Sequence, residues 1–475
     1  MTADGLRKWH RRQLLIFASS SQALVLLLLF LSSYLPLFDS SPWTVLDKST
    51  TLWATSSLLR WDVFHLGFAA EERMYEHQWA FFPGVPNLIK FLGQITSNDS
   101  WATFLQGSTL LATALDSTLV LYELGLCHLK SPSLSFLSAT LSLLPSSPAT
   151  LRHAPYAEPF FTWASYRGML ACAKSQWGRG SLYFCLAGIF RSNGVLLSGF
   201  ILWGMLVEPF LTERILAIKR VPYALLLTSL IFSPAIYHQY SGYQVFCQET
   251  DTPAPWCSNF PPSIYTYVQS KYWNVGFLRY WTPQQIPNFL LAAPVLALLS
   301  YYSVQSVCSF AGRLFDKAQP RNLPAPESQS LAPHSIHAFI FTSILLFASH
   351  TQIILRFASS LPFTYWSAAR LLIDHPRLAT VEYVTSGSHP HLDPEVQSGN
   401  TRGHIVLRPS SFHGFQYPVF VLEVLLSAIL VVYASIALSY ALHYYMKSWH
   451  SATYHTHDKP TQHQYNPLYI DHHEA

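Results

Sequence analysis

The sequence predicts an all-α, polytopic membrane protein with about ten transmembrane segments, some of them short or broken. Three observations carry that expectation. Only 11% of the 475 residues are Asp, Glu, Lys or Arg, against roughly 25% in an ordinary soluble domain. Apolar residues make up 50% and aromatic residues alone 15%. The apolar residues are also gathered into runs that approach the roughly 20 residues needed to span a hydrocarbon core about 30 Å thick. A soluble chain of this length needs a charged skin, and a chain dissolved in lipid does not. The net charge of +4 is small and scattered, so nucleic acid is not an expected partner.

The chain opens with MTADGLRKWHRRQ, whose Arg7, Lys8, Arg11 and Arg12 precede an apolar run from Leu14 to Leu37. That run is longer than a signal-peptide core and ends without a small-residue cleavage site, so it reads as an uncleaved first helix. The basic cluster assigns residues 1–13 to the cytosol. Further apolar stretches follow at 103–126, 133–150, 159–174, 181–190, 194–208, 221–241, 286–310, 336–361 and 417–444. The stretch 181–208 reads as one helix or as a tight hairpin broken at Arg191-Ser192-Asn193-Gly194. The hairpin keeps Arg214, Lys219 and Arg220 on the cytosolic side, with the basic segment 311–321 and Lys447. It gives ten segments, with both chain ends in the cytosol. Residues 14–444 then form a single membrane domain whose long polar loops, 39–102, 242–285 and 362–416, face the lumenal side. The links 127–132, 175–180, 209–220 and 311–335 are cytosolic. Residues 445–475 form a His-rich cytosolic tail, for which a solvated coil is a better reading than a metal site. Asn98-Asp99-Ser100 is a sequon in the first lumenal loop.

Charged and aromatic residues out of place in such a chain are the candidates for chemistry. Trp61-Asp62 stands in the first lumenal loop, ahead of AAEERMYEHQWAFFPGVP with Glu71, Glu72, Glu76 and His77. The pattern suits amphipathic helices lying at the membrane interface. Glu158 opens an apolar helix, where the dipole favours an acid. Arg191 and Arg356 sit in apolar surroundings, where a cation is costly and therefore a functional candidate; snorkelling to the interface is the other reading of Arg356. The loop PPSIYTYVQSKYWNVGFLRYW carries more Tyr and Trp than an aromatic belt explains, and Tyr272 and Trp273 suit sugar or lipid docking. Cys247 and Cys257 flank CQETDTPAPWC; a disulfide forms there if the loop meets an oxidising lumen, and otherwise they are two thiols. The other four cysteines read as small residues of the apolar segments.

Taken together, Trp61-Asp62, YEHQWAFFPGVP, PYAEPFF, FRSNG, PWCSNFPPSIYTYVQSKYWNVGFLRY, IPNFLLAAP and HTQIILRFASSLPFTYW resemble, in order and spacing, the PIG-V family, the second mannosyltransferases of glycosylphosphatidylinositol (GPI) assembly. The family's Gly-Tyr pair before the YEH block is replaced here by Glu72-Arg73-Met74. The resemblance implies a GT-C-type fold in the endoplasmic reticulum membrane with a lumenal active site. It implies an inverting transfer of mannose from dolichyl-phosphate mannose to a GPI precursor that bears one mannose, through an α-1,6 link. A small accessory membrane subunit accompanies yeast relatives.

The leaving group departs as an anion, so the chemistry asks for one base and for cations at the phosphate. Asp62 is the expected base. Arg356 and then Arg191 are the expected phosphate ligands. Trp61, Glu76, His77, Glu158, Tyr272 and Trp273 are expected around the substrates. No DxD-like motif is present, and no metal or other cofactor is expected. The rival readings are another GT-C glycosyltransferase using a lipid-linked sugar, and a transporter or scramblase. Transporters favour midplane charges and internal repeats, and neither is legible here.

Overall fold

In the computed structural model, residues 2–32, 34, 62–71, 75–96, 111–213, 218–250, 252–315 and 327–374 are described. Trp61, the sequon at Asn98, Glu72–Met74, the stretch 417–444 and the tail lie outside the described residues.

Every regular element among the described residues is helical. In chain order they are α1 (Ala3–Ser32), α2 (Asp62–Glu71), α3 (Gly84–Thr96), α4 (Thr118–His128), α5 (Pro132–Leu141) and α6 (Ala157–Ala173). They continue as α7 (Trp177–Phe190), α8 (Ser192–Thr212), α9 (Val221–Tyr243), α10 (Ile264–Trp273), α11 (Ile286–Phe315), α12 (Glu327–Ala348) and α13 (Pro362–Asp374). Five helical stretches among the described residues are long and apolar enough to cross a membrane: Ala3–Ser32, Ser192–Thr212, Ile218–Gln248, Pro283–Gly312 and Ser330–Ala348. The chain is thus a helical membrane protein. Leu15, Leu27 and Leu31 on α1 are about half exposed, as side chains that face lipid are.

The remaining apolar stretches are broken, and local chemistry breaks them. Within 133–150, α5 begins at a Ser131 cap with Pro132 at its first turn, stops at Leu141, and gives way to a short helix at Pro148–Arg152. Proline fits the first turn of a helix without losing a hydrogen bond, and here it starts both pieces. Residues 181–208 form the hairpin. Arg191 is extended (φ −150°, ψ 144°) between α7 and α8. The two arms touch at glycines: a Cβ on Gly194 would lie 2.5 Å from the Gly188 Cα.

One expected loop is corrected. Residues 362–374 are not polar loop but the helix α13, with Phe363, Tyr365, Trp366 and Ala369 buried. The helix packs on α5 and α11. Pro362 starts it, and its apolar face is too short to stand out as a span in a hydropathy reading. The stretch 336–361 likewise ends as a continuous helix at Ala348 and continues in short turns.

The core joins α4, α6, α7, α9, α11 and α12 through Leu121, Tyr166, Phe184, Ile231, Leu299 and Phe341. The links between helices gather at two ends. His128, Ser175, Trp177, Arg220, Ser330 and Pro333 belong to the links expected on the cytosolic side, and they line one cavity of about 660 Å³. Asp62, Arg191, Tyr265, Arg279 and Arg356 line another, of about 860 Å³. Helix α6 starts beside the second cavity at Glu158 and ends at Ala173 on the first. That separates the two ends by about 22 Å at 1.5 Å per residue.

Candidate active site

The larger cavity is built where helices stop. Asp62 is the first residue of α2, anchored by the buried Val63, Phe64 and Leu66. Glu158 lies in the first turn of α6. Arg191 occupies the extended link of the hairpin, and Arg356 sits in a four-residue helix, Ile354–Phe357, between α12 and α13. Irregular backbone at membrane depth is stable where it lines a cavity, and here it presents four charges to one another.

They form an alternating chain. Arg356 donates through Nη1 to Asp62 Oδ2 (2.6 Å) and through Nε to Glu158 Oε1 (2.5 Å). Arg191 Nη1 reaches the same Glu158 oxygen at 2.6 Å. Arg191 lies 3.8 Å over the Phe357 ring and Arg356 5.1 Å over the Tyr156 ring, which adds cation–π attraction to the ion pairs. The Glu158 side chain is 2% exposed, whereas Asp62 and Arg356 are 27% and 34% exposed. Glu158 is therefore the floor of the site, and Asp62 and Arg356 face the cavity. Glu158, expected to orient an acceptor sugar, instead holds two arginines from beneath.

Glu76, His77 and Tyr272 come together in a separate cluster at the rim. Glu76 accepts from Trp256 Nε1 (3.3 Å), Lys271 Nζ (3.1 Å) and the Tyr272 hydroxyl (3.0 Å). Hydrogen bonding to Tyr267, and then to Glu76, raises the basicity of Lys271. His77 stacks on Tyr75 and meets the edge of Tyr272. Burial lowers its pKa, and neighbouring His65 lowers it further. His65, one turn after Asp62, is also lowered by burial, with Asp62 opposing. Trp273 lines the cavity itself, and its carbonyl accepts from His350 Nε2 at 2.6 Å. Cys247 and Cys257 are bonded, with Cα atoms 5.7 Å apart. The bridge ties the end of the α9 stretch to the turn that carries Trp256.

The residues that sequence reasoning passed over are Phe81, Asn193, Tyr265, Gln269 and Arg279, all on the cavity wall. The Tyr265 hydroxyl lies 2.8 Å from the Ser192 hydroxyl, which joins α10 to the hairpin link. Polar residues in a membrane protein's loops carry no signal of their own; only the fold shows that these turn inward. Among the described residues no group of three His, Cys, Asp or Glu side chains is placed to hold a metal ion.

A cavity of this volume, mostly apolar with a few convergent polar groups, is the form of a small-molecule site. Its acid and three arginines suit proton abstraction beside a phosphate. The profile of the family described as Mannosyltransferase (PIG-V) matches residues 11–389. GPI mannosyltransferase 2 of Cryptococcus neoformans is 32% identical over 394 residues, covering 77% of this chain and 89% of that protein. GPI mannosyltransferase 2 of Yarrowia lipolytica is 33% identical over 338 residues, covering 69% and 83%. GPI alpha-1,6-mannosyltransferase 2 of Homo sapiens is 31% identical over 370 residues, covering 68% and 74%. No solved structure matches. With the family profile spanning most of the sequence and relatives aligned along most of their own lengths, the chain belongs to the PIG-V mannosyltransferase family.

Proposed function

We propose that this protein transfers the second mannose of the GPI anchor. It takes the sugar from dolichyl-phosphate mannose and attaches it through an α-1,6 link to a precursor bearing one mannose. The observation that carries the reading is the charge chain Asp62–Arg356–Glu158–Arg191 on the wall of the larger cavity. Asp62 is the one carboxylate of that chain open to the cavity, so it is the base that takes the proton from the acceptor's 6-hydroxyl. The hydroxyl oxygen attacks the anomeric carbon from the face opposite the phosphate. The bond to the dolichyl phosphate breaks, and the configuration inverts. Arg356, with Arg191 behind it, stabilises the departing phosphate, as a planar guanidinium does. No metal takes part in this scheme. The reading carries with it a GT-C-type architecture, an endoplasmic reticulum membrane location, a cavity that opens to the lumen and a small accessory membrane subunit as partner.

The test is rescue of cells that lack their own second GPI mannosyltransferase. Wild type and Asp62→Asn are expressed at matched levels, and surface GPI proteins and lipid precursors are measured. Wild type restores the surface signal, and Asp62→Asn accumulates the one-mannose precursor. A wild type that is well expressed and leaves that precursor in place refutes the substrate assignment. An Asp62→Asn variant that rescues fully removes Asp62 as the base.

A further inference from the structure

We infer that Arg279 forms a second anion subsite in the same cavity, one that takes the phosphodiester of a lipid substrate. The inference rests on the reading of the cavity as a mannosyltransferase site with two lipid-linked substrates. Arg191 and Arg356 are each held by a carboxylate. Arg279 also lines the cavity, yet among the described residues no carboxylate pairs with it. Its guanidinium is held by a neutral group instead: Nη1 donates to Ser270 Oγ at 2.7 Å. A guanidinium has five N–H donors, and the remaining ones are unspent. Its stem lies against Gly276, where a Cβ would come within 2.7 Å of the Arg279 Cδ. Glycine there lets the arginine fold back over the turn toward the cavity.

The backbone supplies an independent observation. Asn274 and Leu278 both have left-handed conformations, at φ 51° and 56°. For leucine that conformation is unfavourable because its Cβ crowds the backbone, and such residues persist where the surroundings fix them. Here the Leu278 amide donates to the Phe347 carbonyl (2.6 Å), and the Trp281 indole donates to the Leu346 carbonyl (2.8 Å). The turn is thus fastened to the end of α12, and the strained residue immediately precedes Arg279. Strain spent on aiming one cation at a cavity points to a ligand for that cation.

The neighbours say what kind of anion it is. Phe277, two residues earlier, is 75% exposed, and Trp281, two residues later, is 50% exposed. Aromatic and apolar side chains on both sides of a cation suit the membrane interface, where the head of a lipid sits beside its chain. A free phosphate ion has no use for them. Both substrates of the proposed reaction are lipid phosphodiesters, so the chemistry is shared and the source is for experiment to decide.

The test uses the full chain purified in detergent, as wild type, Arg279→Ala, Arg279→Lys and Ser270→Ala. Initial rates are measured while each lipid substrate is varied in turn. Thermal shifts are measured with two probes, farnesyl phosphate for the donor and dihexanoyl phosphatidylinositol for the acceptor. Arg279→Ala raises the KM for one lipid about tenfold while kcat changes less, since a lost planar phosphate contact weakens binding. Arg279→Lys falls between, Ser270→Ala gives a smaller rise for the same lipid, and the matching probe no longer shifts Arg279→Ala. Whichever lipid responds is the source. Unchanged KM values for both lipids, with probe shifts equal in wild type and Arg279→Ala, overturn the inference. A wild type that turns over neither lipid refutes the reaction instead; Arg279 is then judged by the probes alone, standing if they shift wild type and not Arg279→Ala, and falling otherwise. Arg279→Lys keeps charge and stem, so a folded variant is available if alanine proves unstable.

Discussion

Glu158 and Asp62 bear the same charge and meet the same arginine, yet burial assigns them opposite tasks. Glu158 lies beneath both arginines. Removing one partner of a buried ion pair leaves the other charge uncompensated and costs about 3–5 kcal/mol. Glu158→Gln is therefore expected to lose folded protein and melting temperature before any question of catalysis arises. Asp62→Asn, at a position open to the cavity, is expected to lose activity with little change in melting. Thermal denaturation of the two variants in detergent checks this, and a Glu158→Gln protein as stable as wild type rules out the structural role. These charges were legible in the sequence because acids and arginines are rare in an apolar chain. Their pairing was not, since Glu158 and Arg356 lie 198 positions apart, and so Glu158 was expected at the sugar rather than under it.

At the scale of elements, the Cys247–Cys257 bridge acts on more than its own loop. It fastens the turn Pro255–Ser258, whose Trp256 is fully buried and donates to Glu76. Glu76 in turn receives Lys271 and Tyr272 from α10. A bridge across so short a loop contributes about 2–3 kcal/mol. Cys257→Ser, or wild type treated with dithiothreitol, is expected to melt at lower temperature and to show a higher KM, because the rim cluster loosens. If reduction leaves both unchanged, the bridge does not hold the rim. The spacing of the two cysteines and the hairpin at Arg191 were readable, the second from where the basic residues had to lie. The break after Leu141 and the helix at Pro362 were not, because hydropathy averages over a proline that starts one helix as readily as over one that ends another.

Among the described residues the links gather at two ends, each with its own cavity. Helix α13 runs from one of these ends toward the other. It begins beside the Arg356 segment, and Trp366 along it packs against His128 and His334 of the opposite end. Its terminal Asp374 interacts with Tyr302, well inside α11. A protease-cleavable tag inserted directly after Asp374 is therefore expected to be cut from the same side as one in the link 127–132. Protection assays on sealed microsomes check this. Cleavage from the side of the Cys247–Cys257 loop contradicts the descent of α13. The blocks that carry the family resemblance end at Trp366, so they gave no sign of the course of α13 beyond that residue.

The charge chain also has an arithmetic. Two carboxylates and two guanidiniums cancel, so the chain Asp62–Arg356–Glu158–Arg191 is itself electrically neutral. In the proposed reaction, a mannosyl phosphodiester enters with one negative charge and leaves as a phosphomonoester able to carry two. The proton given up by the acceptor neutralises Asp62 in the same event. Negative charge thus travels from Asp62 to the phosphate, and Arg356, bonded to Asp62 beforehand, loses its hold there as the phosphate gains its second charge. Under that proposal the negative charge is redistributed beside Arg356 without any change in the site's total. The Asp62–Arg356 ion pair that holds the site at rest is therefore the contact that the proposed reaction breaks and must form again before the next turnover.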